Sequence, residues 1–158
     1  MFSTTSAHAL RALAHLAQVP GGIYVLGRDL AVAADIPANY LSKILLALRN
    51  AGLIVTVRGS GGGYRLSKPA GAITLNEVVS LFDRSPVASR CVLDGGRACS
   101  ENNPCSAHDR WCAVRDAYAG FLESTALDDI SRRREGTASG RSRRGTAPRA
   151  MQRGGARL

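Results

Sequence analysis

The chain has 158 residues, 45% of them hydrophobic, which is enough for one domain with a real core. No apolar run reaches the roughly 18 residues that a membrane-spanning helix needs. The opening segment MFSTTSAHALRALAHLA lacks a basic n-region and a cleavage site. The expectation is therefore a cytoplasmic protein with no membrane partner, whose first residues form the first helix of the fold. The net charge of +9 is unevenly placed. Residues 1–130 carry 12 Lys and Arg against 11 Asp and Glu, whereas residues 131–158 carry nine Arg against one Glu. The basic character thus belongs to a tail too poor in apolar residues to fold alone. That tail reads either as a disordered, solubilising extension or as a sequence-independent phosphate binder.

In chain order, residues 4–17 place Leu10, Leu13, Ala14, Leu16 and Ala17 on one helical stripe, ended by Pro20-Gly21-Gly22. A short apolar stretch at 23–26 precedes a short helix over 28–33 and a turn at Asp35-Ile36-Pro37. Residues 39–51 form a second helix with Leu41, Ile44, Leu45 and Leu48 on its inner face and Gly52 at its C-terminal cap. The period then changes to strand-like at 53–57. A turn at 58–63, rich in glycine, leads to a second strand at 64–67, so a β-hairpin is predicted. A helix follows over 73–82, with Thr74 or Asn76 as N-cap. Residues 86–106 read as a loop. A long helix over 106–124 carries Trp111, Val114, Tyr118, Phe121 and Leu122 on one stripe.

A short helix, tight turn, second helix and glycine-rich hairpin succeed one another as in a winged helix-turn-helix, whose second helix enters the major groove. The predicted DNA contacts are Asn39, Tyr40, Ser42, Lys43 and Arg49 on that helix. Arg58, Gly59, Ser60 and Gly61 on the wing join them, because glycine lets the backbone approach phosphate closely. The segment RGSGGG lies between two strands and lacks the Lys-Ser/Thr of a nucleotide loop, so it is not read as one. A helix pair with a hairpin is common, and an interaction-free structural role is the competing reading.

Cys91, Cys99 and Cys105 fall within 15 residues at the spacing C-x7-C-x5-C, in a segment rich in Gly, Asn, Asp and Pro. Clustered thiols in a reducing compartment point to metal or redox chemistry rather than disulfides. Thiolates suit iron–sulfur clusters or zinc, but the C-x2-4-C knuckle common in structural zinc sites is absent. His108 follows Cys105 by three residues and reads as a ligand or as a surface histidine. Cys112, one turn further on, reads as a small apolar helix residue or as a ligand. His8 and His15 read as structural. Paired carboxylates and a Ser/His/Asp arrangement are not visible, so the chain is not expected to be an enzyme.

These residues together resemble the Rrf-type winged-helix regulators, whose branches include the IscR-, NsrR- and RirA-like proteins. The likeness runs from about residue 2 to residue 130. It rests on ALRALAHLA, IPANYLSKILLALRNAGLI, VRGSGGGYRLSKP, AITLNEVVSLFD, NPCSAHDRW and FLESTALDDI. The resemblance implies a mainly α fold with a small β-hairpin wing and a long C-terminal dimerisation helix. It divides the chain into a DNA-binding domain at 1–84, a cluster-binding loop at 85–106, a dimerisation helix and ending at 107–130, and the basic tail at 131–158. It also implies a homodimer on a double-stranded operator. A 2Fe–2S or 4Fe–4S cluster would be held by Cys91, Cys99 and Cys105, with His108 matching the fourth ligand of one branch. Another branch takes an acid from the partner's first helix, where this chain has Ala7 followed by His8. Sensing of redox state, nitric oxide or iron through that cluster is the implied function. The alternatives are a cluster-free thiol or zinc regulator of the same fold and, in a different class, a small protein of metal or iron–sulfur delivery.

Overall fold

Leucine and alanine share the inner face of helix α1 (Thr4–Gln18), where Ala9, Leu10, Ala12, Leu13 and Leu16 are buried. The computed structural model describes residues 2–59, 61–83 and 101–131. Within them α1 is followed by α2 (Gly27–Ala33), α3 (Ala38–Asn50), β1 (Ile54–Val57), β2 (Gly63–Leu66), a 3-10 turn at Ala70–Ala72, α4 (Leu75–Val79), α5 (His108–Ser124) and α6 (Leu127–Ser131). The fold is mostly helical with one antiparallel hairpin, as expected. Helix α1 lies against α2, α3, α4, α6 and β2.

The chain turns by 110° between α2 and α3, the geometry of a helix-turn-helix. Its cause is a Schellman cap. Ile36 N–H donates to Ala31 O at 2.9 Å and Asp35 N–H to Val32 O at 3.2 Å, while Asp35 takes a left-handed φ of 53°. Ile36, just past the cap, is then buried. Helix α3 ends the same way. Gly52 has φ 73°, Leu53 N–H reaches Leu48 O at 3.0 Å, and Leu53 is buried. Both caps feed an apolar residue into one core and thereby set where α3 begins and where the hairpin leaves it.

The hairpin pairs Ile54 with Leu66, Val55 with Arg65, Thr56 with Tyr64 and Val57 with Gly63. Its strands begin one residue later (β1) and one residue earlier (β2) than the apolar pattern suggests, because Leu53 completes the α3 cap and Gly63 joins the ladder. From the apolar stretch at 23–26, Val25 forms an isolated antiparallel bridge to the hairpin. Val25 and Tyr64 exchange backbone hydrogen bonds at 2.9 and 2.8 Å. This bridge lies so close that a Cβ on Gly63 would sit 2.3 Å from Val25 O, and Gly63 itself has φ 145°.

The helix expected over 73–82 is shorter. Thr74 is its N-cap and accepts from Glu77 N–H at 3.2 Å, whereas Asn76 lies inside the helix and accepts from Ser80 Oγ at 3.2 Å. β-Branched Ile73 and Thr74 are drawn into extended backbone instead, where Thr74 bridges Ala126 and Ile73 O accepts from Leu127 N–H at 2.8 Å. The predicted stripe on the long helix divides in two. Leu122 is fully buried and Tyr118 packs on the same core. Val114 and Phe121 remain 60% and 46% exposed, so they alone of these four are left for another surface. Helix α6 has no counterpart in the sequence reading. It seats Leu127 in the core, and Ser131 O receives Gln18 Nε2 at 2.9 Å.

Gly63→Ala is expected to destabilise the fold by about 2–3 kcal/mol, since the new methyl meets a backbone carbonyl in a left-handed conformation. The exposed Gly61 has open space around its Cβ position, so Gly61→Ala should cost less. Urea unfolding of both variants checks the order.

Candidate nucleic-acid interface and metal centre

Burial of Leu41, Ile44, Leu45 and Leu48 fixes the rotation of α3. The opposite face presents Asn39, Ser42, Lys43, Leu46 and Arg49, all exposed, and its only charges are the positive ones of Lys43 and Arg49. Ser42 Oγ donates back to Ala38 O at 2.8 Å, which leaves its lone pairs outward. Asn39 Oδ1 accepts from Tyr40 N–H at 2.9 Å. Tyr40 differs from its neighbours. Its ring packs on the core and meets His8 edge-on at 5.4 Å, and its hydroxyl bonds the Thr5 hydroxyl. It holds the start of α3 onto α1 rather than standing on the exposed face.

Between α3 and the hairpin runs an open cleft of ≈ 480 Å³, with Ser42, Leu46 and Arg49 on one wall and Arg58, Gly59 and Tyr64 on the other. Gly59 has φ 100° and closes the turn by accepting from Gly62 N–H at 3.0 Å. Gly61, with φ 79°, is exposed. Ser60 lies outside the described residues. The glycines that the hairpin cannot replace are Gly62 and Gly63, where a Cβ would meet backbone oxygen at 2.3 Å. The repeated glycine hid this division, because a run of one residue type does not reveal which member faces the neighbouring strand.

Cys91 and Cys99 lie outside the described residues. Cys105 and His108 are half-buried at the start of α5, where His108 N–H donates to Cys105 O at 3.0 Å and folds one residue back over the other. Cys112 Sγ lies 3.6 Å from His108 Nε2 on the next turn. Among the described residues no three His, Cys, Asp or Glu side chains are grouped to hold a metal by themselves. A thiolate and an imidazole at adjoining positions nevertheless form a donor set that fits iron or another thiophilic ion.

The sequence reading missed Asp83. Ser3 is the N-cap of α1 and accepts from Ser6 N–H at 3.1 Å. A capping box needs a carboxylate at the third helical position to bond the cap's own N–H, and Ser6 occupies that position. Asp83 supplies the carboxylate from a distance, accepting from Ser3 N–H at 3.2 Å and from the buried Ser6 hydroxyl at 2.9 Å. No acidic residue stands in the first turn of α1, so Asp83 also provides the charge that the helix dipole favours. Burial raises its pKa, but the hydrogen bonds from Ser3 and Ser6 lower it by more, and it falls below 3.8. Burial, and after it the negative charge of Asp83, raise the pKa of Tyr118 on α5 above its ordinary value.

Residues 2–133 match the Rrf2 family, described as an iron-dependent transcriptional regulator. The chain belongs to this family. Among curated Rrf2-like relatives, the HTH-type transcriptional regulator IscR of Salmonella agona is 38% identical over 126 residues, which are 79% of this chain and 76% of that protein. Among solved structures, CymR, the global cysteine regulator of B. subtilis, superposes with a TM-score of 0.71 at 27% identity, covering 83% of this chain and 95% of that one. IscR of T. potens superposes with a TM-score of 0.65 at 24% identity, covering 82% of this chain and 85% of that one, a likeness of fold. The Rrf2 fold thus accounts for the winged helix and for the helices that follow it, and the family is one of regulators rather than enzymes. The Arg-rich residues 134–158 lie beyond the matched region.

A carboxylate with a lowered folded-state pKa adds stability above its unfolded value and loses it as the pH falls through the folded value. Asp83→Asn should therefore lower Tm at about pH 7, and the gap to the unaltered protein should close at about pH 2. Thermal melts across that range check this, and a constant gap would remove the carboxylate's charge from the role.

Proposed function

We propose that this protein is a homodimeric transcription regulator that binds an operator duplex through α3 and the wing, and that its hold on DNA responds to an iron–sulfur cluster. The observation that carries the reading is the cleft whose two walls are the exposed face of α3 and the Arg58 turn. In a winged helix the groove-reading helix and the wing straddle a phosphate backbone. Lys43, Arg49 and Arg58 supply the positive charge, Asn39 and Ser42 stand where base edges are read, and Gly59, Ser60 and Gly61 allow the backbone to come close. Tyr40 acts at one remove by fixing the start of α3.

Cys91, Cys99 and Cys105 would hold the cluster, with His108 at the fourth position. When bound, such a cluster supplies redox-active iron whose potential depends on its ligands. The chain's own part is to tie that loop to the rest of the fold. Two described residues flank that loop in the sequence: Asp83, fastened to the start of α1, and Cys105, just before α5. A loop flanked in this way has two neighbours to act on, and a regulated equilibrium requires that the cluster favour one of their arrangements over the other. Exposed Val114 and Phe121 on α5 suit burial against a second copy. This division assigns 1–84 to DNA, 85–106 to the cluster, 107–130 to the dimer and 131–158 to a basic extension, in a protein of the cytoplasm. The likeness to CymR supports a second reading, in which the same cysteines sense as thiols without a cluster.

Replacing Lys43 and Arg58 together by Ala should weaken operator binding at least about tenfold and reduce the salt dependence by about 0.9 per lost phosphate contact. Cluster content should not change. Fluorescence anisotropy over a salt series measures both, and unchanged affinity would refute the assigned interface. Each of Cys91→Ala, Cys99→Ala and Cys105→Ala should abolish iron and sulfide retention in protein purified without oxygen, while the dimer still folds. Full cluster absorbance in all three variants would overturn these cysteines as ligands, whereas unaltered protein that takes up no iron or sulfide would favour the thiol reading.

A further inference from the structure

Arg65 is a cation without a counter-ion. Among the described residues its guanidinium makes no ion pair, and its Nε is buried with no hydrogen-bond acceptor. Its Cζ lies over the Tyr24 ring, 5.2 Å from the centroid. A stacked ring occupies the face of a guanidinium and leaves its N–H edge to be met in the plane. A buried donor left unmet is costly to the fold.

Arg65 stands on the wall of an open cavity of ≈ 390 Å³ between the end of α1 and the outgoing end of β2. Leu16, Val19, Ile23, Leu66 and Pro69 give it an apolar lining, and no Asp or Glu among the described residues lines it. The other cation on its wall, Lys68, is neutralised by Glu77 at 2.7 Å. One uncompensated positive charge thus stands in a mainly apolar cavity of the size in which small molecules bind. The fork of an arginine matches a carboxylate through two N–H···O bonds. A single charge suits a monoanion rather than a nucleotide or a polyphosphate, and the walls suit a hydrocarbon body. We propose that this cavity binds a small carboxylic acid with an apolar body, its carboxylate on Arg65 and its hydrocarbon part against Leu16, Val19 and Leu66.

The cavity backs onto the DNA cleft. Successive side chains of a strand point to opposite faces. Tyr64 lines the cleft between α3 and the wing, whereas Arg65 lines this cavity. An acid bound on one face of β2 therefore acts on the strand whose other face belongs to the cleft. Resting on the operator-binding reading above, the acid is an effector: it changes operator affinity by holding one arrangement of the hairpin better than another.

The probe is hexanoate, with hexanamide as its uncharged counterpart, each titrated into the full chain without DNA and followed by nuclear magnetic resonance. Hexanoate should move the Arg65 Nε–H proton downfield, as a new acceptor does, together with the amide signals of Gly21 and Gly22. Hexanamide should leave the Nε–H where it is. This readout needs no variant to fold. Arg65→Gln should weaken hexanoate binding about tenfold or more, as expected for loss of a charge-assisted hydrogen bond. Gly21 lines the cavity, has open space where a Cβ would stand, and is not left-handed. Gly21→Leu should therefore fill part of the cavity and abolish binding while the fold is kept. An Nε–H indifferent to hexanoate, or equal binding of acid and amide, would overturn the proposal. Inorganic phosphate competing on equal terms with hexanoate would also overturn it, by making Arg65 a general anion site. Fluorescence anisotropy with an operator duplex reads the effector step separately, where saturating hexanoate should change affinity about fivefold or more. Unchanged operator affinity beside a shifted Nε–H would remove the effector step and keep the site, whereas a chain that binds hexanoate but no duplex would count against the DNA reading.

Discussion

Burial of one face of α1 is the constraint on which the other elements depend. Ala9 and Ala12 are completely buried, and their small side chains allow α2, α3, α4, α6 and β2 to gather around a single helix. Leu10, Leu13 and Leu16 fill the spaces between them. A close-packed interior tolerates little change in volume, so the rotation of α1 sets the rotation of α3, and with it the side of the molecule on which Lys43 and Arg49 stand. The Tyr40 contacts with Thr5 and His8 add a polar stop to the same arrangement. The exposed face of α3 is thus a consequence of core packing and not of its own sequence alone.

The N-terminus of α1 is completed from elsewhere in the chain. Asp83 caps it across 80 residues of sequence and lies at the point where the described helical core gives way to the cysteine-bearing segment. The charge of Asp83 also acts on Tyr118 of α5, whose hydroxyl is buried without a hydrogen-bond partner among the described residues. One charged group therefore bonds the first helix and acts electrostatically on a side chain of the long one. A junction built on a few hydrogen bonds to a carboxylate is more easily rearranged than an apolar core, because its strength depends on geometry and on competing water.

On α5, residues one or two turns apart serve different neighbours. Tyr118 and Leu122 close the chain's own core, Val114 and Phe121 face outward, and His108 and Cys112 form a polar pair at the helix start. A single amphipathic stripe would serve only one of these. The low regularity of the helix's apolar pattern reflects the three surfaces it supplies at once.

The sequence alone determined the order of α1 to α5, the wing and the inner face of α3. Each of these follows from local periodicity or from glycine and proline at the ends of elements, signals that act over a few residues. Tertiary structure decided the rest. Asp35 replaces glycine in a left-handed cap because Ile36 must be buried, and Ile73 and Thr74 leave the helix because extended backbone at Ala126 and Leu127 bonds them. Leu122 turns inward where an unpartnered stripe would face out, and Gly62 and Gly63 are required because other backbone passes within 2.3 Å of where their Cβ atoms would be. Asp83 shows the limit most clearly. A capping box is readable when its carboxylate lies three residues from the cap, but a carboxylate that arrives from 80 residues away has no spacing to recognise, and only the packing of α4 beside α1 brings it there.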